Sequence, residues 1–142
     1  MKSRQKITRV LLESEERKNF SLFGIVSAEP DYRLSLSINS AFRISLRNDK
    51  PVEPPGGSSF SRFSCHTAVD DISWNLISNK SGENFLVGKL NKIDYFLQLF
   101  PNDSHLDITS VSTTLRKIDT ITAIFQINPD NIKDKNIHYL IP

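Results

Sequence analysis

The sequence has one cysteine, Cys65, so no disulfide bond can form within the chain. Scarce cysteine is typical of a reducing compartment, and we expect a cytoplasmic protein. No apolar run is long enough for a membrane span or a secretory signal, so we expect no membrane association. A large excess of charge of one sign is also lacking, because the 18 Lys and Arg residues are nearly balanced by 16 Asp and Glu residues. That balance excludes a large field that would draw the whole molecule onto nucleic acid.

Motifs for phosphate, metal or cofactor binding are absent as well. Neither Gly-x-Gly-x-x-Gly nor a Walker-type loop occurs, and the glycine-rich stretch from Pro55 to Ser59 has no lysine and no helix after it. The three histidines show no ligand spacing, although His66 with Asp70 and Asp71 offers chemically suitable groups. We therefore predict no metal, no cofactor and no catalytic residues, and we lean against an enzyme.

Cys65 and His66 are the pair closest to a known catalytic arrangement, since an imidazole can activate a thiolate. Neighbouring residues on a strand point to opposite faces of the sheet, so the two side chains are not expected to meet. We interpret them as a core thiol and a surface histidine.

Short apolar runs predict several strands. The clearest hairpin joins Phe60 to Thr67 with Ile72 to Ser78 through a polar turn, and it places Trp74 in the core. Further strands are predicted from Lys6 to Leu12, from Phe20 to Ser27 and from Thr120 to Asn128, the last with Ile121, Ala123, Phe125 and Ile127 on one face.

The run from Ile93 to Phe100 is the most apolar strand candidate. Ile93, Tyr95, Leu97 and Leu99 alternate with Phe96 and Phe100, so both faces of this strand need cover. A central position in the sheet is predicted.

Two helices are predicted. From Pro30 to Leu46 the pattern fits a strand or a helix, and the length favours a helix with Ser27 as its cap and Pro30 in its first turn. A second helix has Asp103 or Ser104 as its cap and apolar residues at helical spacing, namely Ile108, Val111, Leu115 and Ile118.

These elements predict one α+β domain over residues 1–142, a length within the range of about 100–200 residues for one domain. We expect a largely antiparallel sheet of about six strands with two helices on one face, arranged as a ferredoxin-like βαββαβ core with extra strands. Prolines and glycines predict a flexible loop at 48–59. A short apolar tail at 129–142 must cover its own domain or dock on another chain.

Three segments carry a family resemblance: Asp31-Tyr32-Arg33-Leu34, Ile77-Ser78-Asn79-Lys80-Ser81 and Ile93-Asp94-Tyr95-Phe96-Leu97. Together they resemble the bacterial IPExxxVDY family, over a stretch from about Ile7 to Asn131. The family motif falls on Val87 to Tyr95, where Gly88 and Lys89 replace its Pro and Glu and the closing Asp-Tyr is retained. The resemblance implies a small bacterial protein of a family without an assigned activity.

The retained Asp94 and Tyr95 are the candidate site residues, together with Tyr139 of the apolar tail. We expect Asp94 to accept a hydrogen bond and the Tyr95 ring to pack inside, as an interaction or structural polar site. Since a turn tolerates Gly88 and Lys89, the motif is interpreted as structural.

The resulting hypothesis is an uncharacterised non-catalytic interaction or regulatory module with a protein partner, and a homodimer is left open. The alternative is a small-ligand sensor of ferredoxin-like type. Nucleic acid is not the expected partner, because Phe60, Arg62 and His66 share a strand face with too few basic residues. An enzyme and RNA binding rank below both.

Overall fold

The computed structural model of the protein describes residues 20–101 and 107–142. The predicted strand from Lys6 to Leu12 and the predicted caps Asp103 and Ser104 lie outside these residues. In chain order the elements are β1 (Ser21–Ser27), α1 (Asp31–Phe42), β2 (Arg47–Val52), β3 (Phe60–Thr67), β4 (Ile72–Ser78), β5 (Lys80–Ser81), β6 (Asn84–Phe85), β7 (Tyr95–Phe100), α2 (Ile108–Arg116) and β8 (Ile121–Gln126). Short 3-10 turns occur at Gly88–Leu90, Pro129–Asn131 and Ile137–Leu140.

Six strands form one antiparallel sheet in the order β2-β3-β4-β7-β1-β8, and β5 with β6 forms a separate two-stranded ribbon. Strand β7 lies between β4 and β1, as its two-faced pattern predicts. Both helices pack on one face of the sheet through Leu34 and Ile38 of α1 and Val111 and Leu115 of α2. The expected α+β class is confirmed.

The sheet separates two apolar cores. The first core lies between the sheet and the helices and includes Tyr95, Leu97 and Leu99 of β7. The second core lies on the opposite face and includes Phe96, which is completely buried. Burying one such side chain stabilises a fold by about 1.5–3 kcal/mol. The remaining buried members of the second core are Leu22, Phe60, Ile77, Leu86, Val87, Ile93 and Leu140.

The predicted hairpin is confirmed as β3 and β4. Trp74 is buried in the first core, where its ring lies 5.1 Å from that of Phe42 in α1. This contact fixes the end of α1 against the middle of the hairpin.

The ends of the helices differ from the predicted caps. Ser27 does not cap α1, because its backbone belongs to β1 and its hydroxyl donates to the Thr120 carbonyl at 2.7 Å. Helix α1 begins instead after Pro30, with no side-chain cap. The N-cap of α2 is Asp107, whose carboxylate accepts the Ser110 N–H at 3.2 Å.

The predicted loop at 48–59 is wrong in its first part, because residues 48–52 belong to strand β2. The strand includes Pro51, which a sheet accommodates only at an edge or a bulge. Here β2 is the outermost strand next to β3, and its register shifts between Asp49 and Val52. The segment without helix or strand is therefore 53–59.

The predicted face of β8 is confirmed for Ala123, Phe125 and Ile127 and is wrong for Ile121. The pairing of β1 with β8 shifts register between Val26 and Ser27, because Ala123 pairs with Val26 and Ile121 pairs with Ser27, which leaves Thr122 as the extra residue. Ile121 and Ile124 therefore both face the first core. Phe125 pairs with Gly24 and points to the opposite face, where it is 51% exposed.

The apolar tail covers its own domain. Leu140 is completely buried in the second core, and Ile132, Ile137 and Tyr139 pack against that core. The buried Gln98 donates to the Leu140 carbonyl at 2.7 Å and accepts from the Asn75 side chain at 3.1 Å. One amide therefore links the hairpin, the central strand and the tail. No helix in the described ranges, 20–101 and 107–142, is long and apolar enough to cross a membrane.

Candidate functional site

Asp94 lies just before β7 and joins two other segments of the chain. One carboxylate oxygen accepts the backbone N–H of Ser27 at 2.9 Å, and the other lies 2.6 Å from the Lys80 ammonium. The Asp94 side chain is 17% exposed, so this pair is partly shielded from water. Asp94 thus fixes the end of β1 against the start of β5.

Tyr95 turns its ring into the first core and donates its hydroxyl to the Glu29 carbonyl at 2.6 Å. Burial, together with the carboxylates of Asp31, Asp94 and Glu29, raises the pKa of Tyr95 to about 12. The phenol is therefore neutral at physiological pH and acts as a donor to the turn before α1.

Asn79 is completely buried and organises the loop of residues 87–93. Its side chain accepts the Val87 N–H at 2.8 Å and donates to the carbonyls of Leu90 and Ile93, each at 2.9 Å. Its backbone N–H donates to the Asp94 carbonyl at 2.9 Å. Every side-chain contact of Asn79 is therefore to the backbone of residues 87–93.

Tyr139 does not join Asp94 and Tyr95. It packs against the second core, while the Tyr95 ring lies in the first core on the other side of the sheet. The Tyr139 ring lies 4.1 Å from that of His138. The three predicted site residues therefore do not form one site. Asp94 and Tyr95 form an internal tether that links β1, β5 and the turn before α1, whereas Tyr139 covers the second core.

Cys65 and His66 point to opposite faces of β3, as expected. Cys65 packs against the first core, and burial raises the pKa of its thiol, which keeps it in the poorly nucleophilic protonated form. His66 instead lies 3.0 Å from the Ser73 hydroxyl through Nδ1 and 3.0 Å from Asp71 through Nε2. Sequence reasoning missed Ser73, which reaches His66 only because β3 pairs with β4.

The Ser73, His66 and Asp71 chain lies on an open hairpin end. The side chains of His66 and Asp71 are 52% and 85% exposed, so water surrounds the imidazole and the carboxylate. Within residues 20–101 and 107–142, no group of three or more His, Cys, Asp or Glu side chains is placed to hold a metal ion. The arrangement ties the two strands together and encloses no substrate.

The arginines do not form one surface. Arg33 belongs to α1, which covers the first core, whereas Arg62 pairs with Ile77 and faces the second-core side of the sheet. Arg62 also lies 3.5 Å from Asp49, so part of its charge is compensated.

Two surface grooves meet at Lys89. The first groove has a volume of about 420 Å³ and is lined by Lys89, Leu90, Asn91, Lys92, Ile93, Phe125 and Ile127. The second groove has about 440 Å³ and is lined by Phe85, Leu86, Gly88, Lys89, Lys133, Asp134, Lys135 and Asn136. Lys89 lines both grooves. Sequence reasoning missed these grooves, because each is built from segments far apart in the chain.

Gly24 forms the floor beneath the first groove. A methyl group at this position would lie 2.8 Å from Cδ1 of Ile127 and 2.9 Å from Cδ1 of Ile93. The glycine therefore lets both isoleucines lie directly on the sheet, where they line the groove beside Phe125.

The first groove combines apolar surface with the positive charge of two lysines. None of the ion pairs among residues 20–101 and 107–142 includes Lys89 or Lys92. Phe125 belongs to β8, the last strand of the sheet on this side, and lines the groove together with these lysines. The polar side-chain groups of the groove lining are the amines of Lys89 and Lys92 and the amide of Asn91.

No family model matches this chain, and no curated protein matches it.

Proposed function

We propose that this chain is a non-catalytic interaction module that binds another protein through the first groove. The observation that carries the proposal is Phe125, a large apolar side chain that is 51% exposed beside Lys89 and Lys92, which form no ion pair within residues 20–101 and 107–142. Aromatic anchors at the centre of a patch provide much of the affinity of protein interfaces. Two lysines at the rim favour a partner with an acidic surface.

Membership of the bacterial IPExxxVDY family is part of the proposal. Its support is that the three segments of the resemblance meet: Asp94 pairs with Lys80, and the Tyr95 hydroxyl reaches the turn that precedes Asp31. The motif then serves as a framework that presents Lys89 and Lys92 at the surface.

The experiment places p-benzoylphenylalanine at position 125 of the full chain, expressed in its native host, and crosslinks by light. The control carries the same group at Leu36, which is 63% exposed on α1. We expect a discrete crosslinked protein from position 125 that is absent from position 36. The same product must disappear when Lys92→Glu is added and persist when Lys50→Glu is added, since Lys50 lies on β2 at the opposite edge of the sheet.

Equal products from both positions, or no protein product from position 125, would contradict an interaction module at this groove. The alternative, a small-ligand sensor of ferredoxin-like type, draws support from the strand order β4-β7-β1-β8 with both helices on one face. A metabolite that raises the Tm of the wild type but not that of Phe125→Ser would favour the sensor.

A further inference from the structure

The geometry points to strand addition: an extended acidic segment of the partner pairs with the outer edge of β8 and lays alternate side chains into the first groove. This inference rests on the proposed function, and it specifies the chemistry of the partner. Among residues 20–101 and 107–142, β8 pairs only with β1, so its outer backbone groups have no partner strand there. An added strand would lie about 4.8 Å from β8.

The orientation of Phe125 connects this edge to the groove. Phe125 pairs with Gly24 and points to the face that holds the second core, the same side as Ile127 and Ile93 of the groove. Side chains of an added strand alternate between faces, so every second one would lie beside Phe125. An apolar residue at such a position would extend the contact with Ile127 and bury more of the Phe125 ring.

The positive charge of the groove determines which residues of the added strand fit on either side of that apolar position. Lys89 and Lys92 line the groove and form none of the ion pairs found in the described ranges. Residues two apart on a strand lie about 6.6 Å from one another on the same face, within reach of flexible lysine side chains. The groove thus fits a segment in which aspartate or glutamate flanks an aliphatic residue at spacings of two.

The backbone edge favours a polypeptide over a nucleic acid, although both are anionic. A strand edge presents alternating N–H donors and carbonyl acceptors, and only an extended peptide matches that alternation. Nucleic acid would bind through its phosphates to the lysines and would leave the β8 carbonyls without donors. Binding of an RNA but not of a peptide would therefore overturn the inference.

The test uses the full chain and synthetic ten-residue peptides in which glutamate flanks valine and leucine at spacings of two. The full chain is required because its own Glu13, Glu15 and Glu16, which precede the described residues, must be present to compete with the peptide for Lys89 and Lys92. Binding is measured by fluorescence anisotropy, and backbone pairing is measured by hydrogen exchange of the β8 amides. A matched peptide carries an N-methyl group on every second amide, on the edge that faces β8. These methyl groups block strand pairing without changing the charge of the peptide.

We expect the glutamate peptide to bind and to protect β8 amides that are not bonded to β1. The N-methylated peptide and a lysine-for-glutamate peptide should bind at least about fivefold more weakly. Lys89→Glu with Lys92→Glu should weaken binding to a similar degree, whereas Lys50→Glu should not. Equal binding of the N-methylated peptide would overturn strand addition. Strand addition would also be overturned if the glutamate peptide did not bind at 1 mM; a dissociation constant of 1 mM corresponds to a binding free energy of about −4 kcal/mol.

The two proposals fail in different ways. A crosslink from position 125 together with equal binding of the N-methylated peptide would leave the interaction module intact and overturn strand addition alone. Absence of the crosslink would contradict the proposed function directly, whatever the peptides do.

Discussion

The carboxylate of Asp94 accepts the backbone N–H of Ser27 at 2.9 Å, which closes the end of β1 against the start of β7. We expect Asp94→Ala to lower the free energy of unfolding by about 1–3 kcal/mol, because a partly buried N–H and the Lys80 ammonium both lose their partner. Asp94→Asn should lose less, since its amide oxygen can still accept. Urea unfolding measures the difference, with Glu53→Ala at an exposed position as the control. An Asp94→Ala protein as stable as this control would contradict the tether.

Tyr95 should make stability fall at high pH. Its pKa is raised to about 12 in the folded protein, against about 10 in an unfolded chain. The folded state therefore binds this proton more tightly, and the resulting stabilisation is complete below pH 10 and is lost between pH 10 and 12. We expect the stability difference between wild type and Tyr95→Phe to shrink by about 1 kcal/mol over that interval, less than the full shift implies because the hydrogen bond of the Tyr95 hydroxyl is only partly buried.

The measurement is urea unfolding at several pH values from 8 to 12. Leu36→Ala provides the control, because this exposed side chain has no ionisable group and should give a difference that does not change with pH. A constant difference for Tyr95→Phe as well would show that its hydroxyl titrates no differently in the folded and unfolded states.

Asn79 should be among the least replaceable polar residues. Asn79→Ala removes three hydrogen bonds of its side chain and leaves the backbone groups of Val87, Leu90 and Ile93 without that partner. We expect a loss of about 2–4 kcal/mol, and a similar loss for Asn79→Asp, which keeps the acceptor but not the two donors. Calorimetry gives the change in Tm, and Asn48→Ala on the exposed strand β2 should change it little. Matching values for the two alanine variants would refute the role of Asn79.

Gln98 should hold the tail on the sheet. Gln98→Met keeps the volume of the side chain but leaves the Leu140 carbonyl and the Asn75 amide unpaired. We expect a loss of about 1–2 kcal/mol and faster hydrogen exchange at Ile137–Leu140. The exposed Gln126→Met is the matched control. Unchanged exchange in the tail would indicate that apolar packing of Leu140 suffices by itself.

Gly24→Ala should disturb the first groove from below. The added methyl group would lie 2.8 Å from Ile127 and 2.9 Å from Ile93, so both side chains must shift. We expect a loss of about 1 kcal/mol, together with changed methyl NMR shifts of the two isoleucines. Gly88→Ala is the control, because a methyl group there meets nothing within 4 Å. If Gly24→Ala left the methyl spectra unchanged, the close approach would be refuted.

Much of the fold follows from local patterns, and the site does not. The β3–β4 hairpin, the two-faced β7 and the apolar stripe of α2 each reflect a period of hydrophobicity within one segment. The face of Ile121 depends on a register shift between β1 and β8, which strict alternation inside β8 does not reveal. Strand β2 was hidden by Pro51, because composition cannot tell an edge strand from a loop.

The polar residues show the same limit. The sequence singles out Asp94 and Tyr95 through a motif, but it gives no sign that Asn79 binds the backbone of residues 87–93. A buried asparagine is recognised only by partners brought in by the fold. Likewise Gly24 matters because Ile93 and Ile127 cross over it from two distant segments.

The position of β1 in the sheet has a consequence for synthesis on the ribosome. Its two neighbours, β7 and β8, are translated only after α1, β2, β3 and β4, and the second core closes only when Leu140 has been made. A growing chain therefore cannot complete its sheet in the order of translation, and β1 must wait with both edges open. Neighbouring nascent chains on one polysome expose the same unpaired strand, and exposed strand edges favour pairing between chains until the final residues close the sheet.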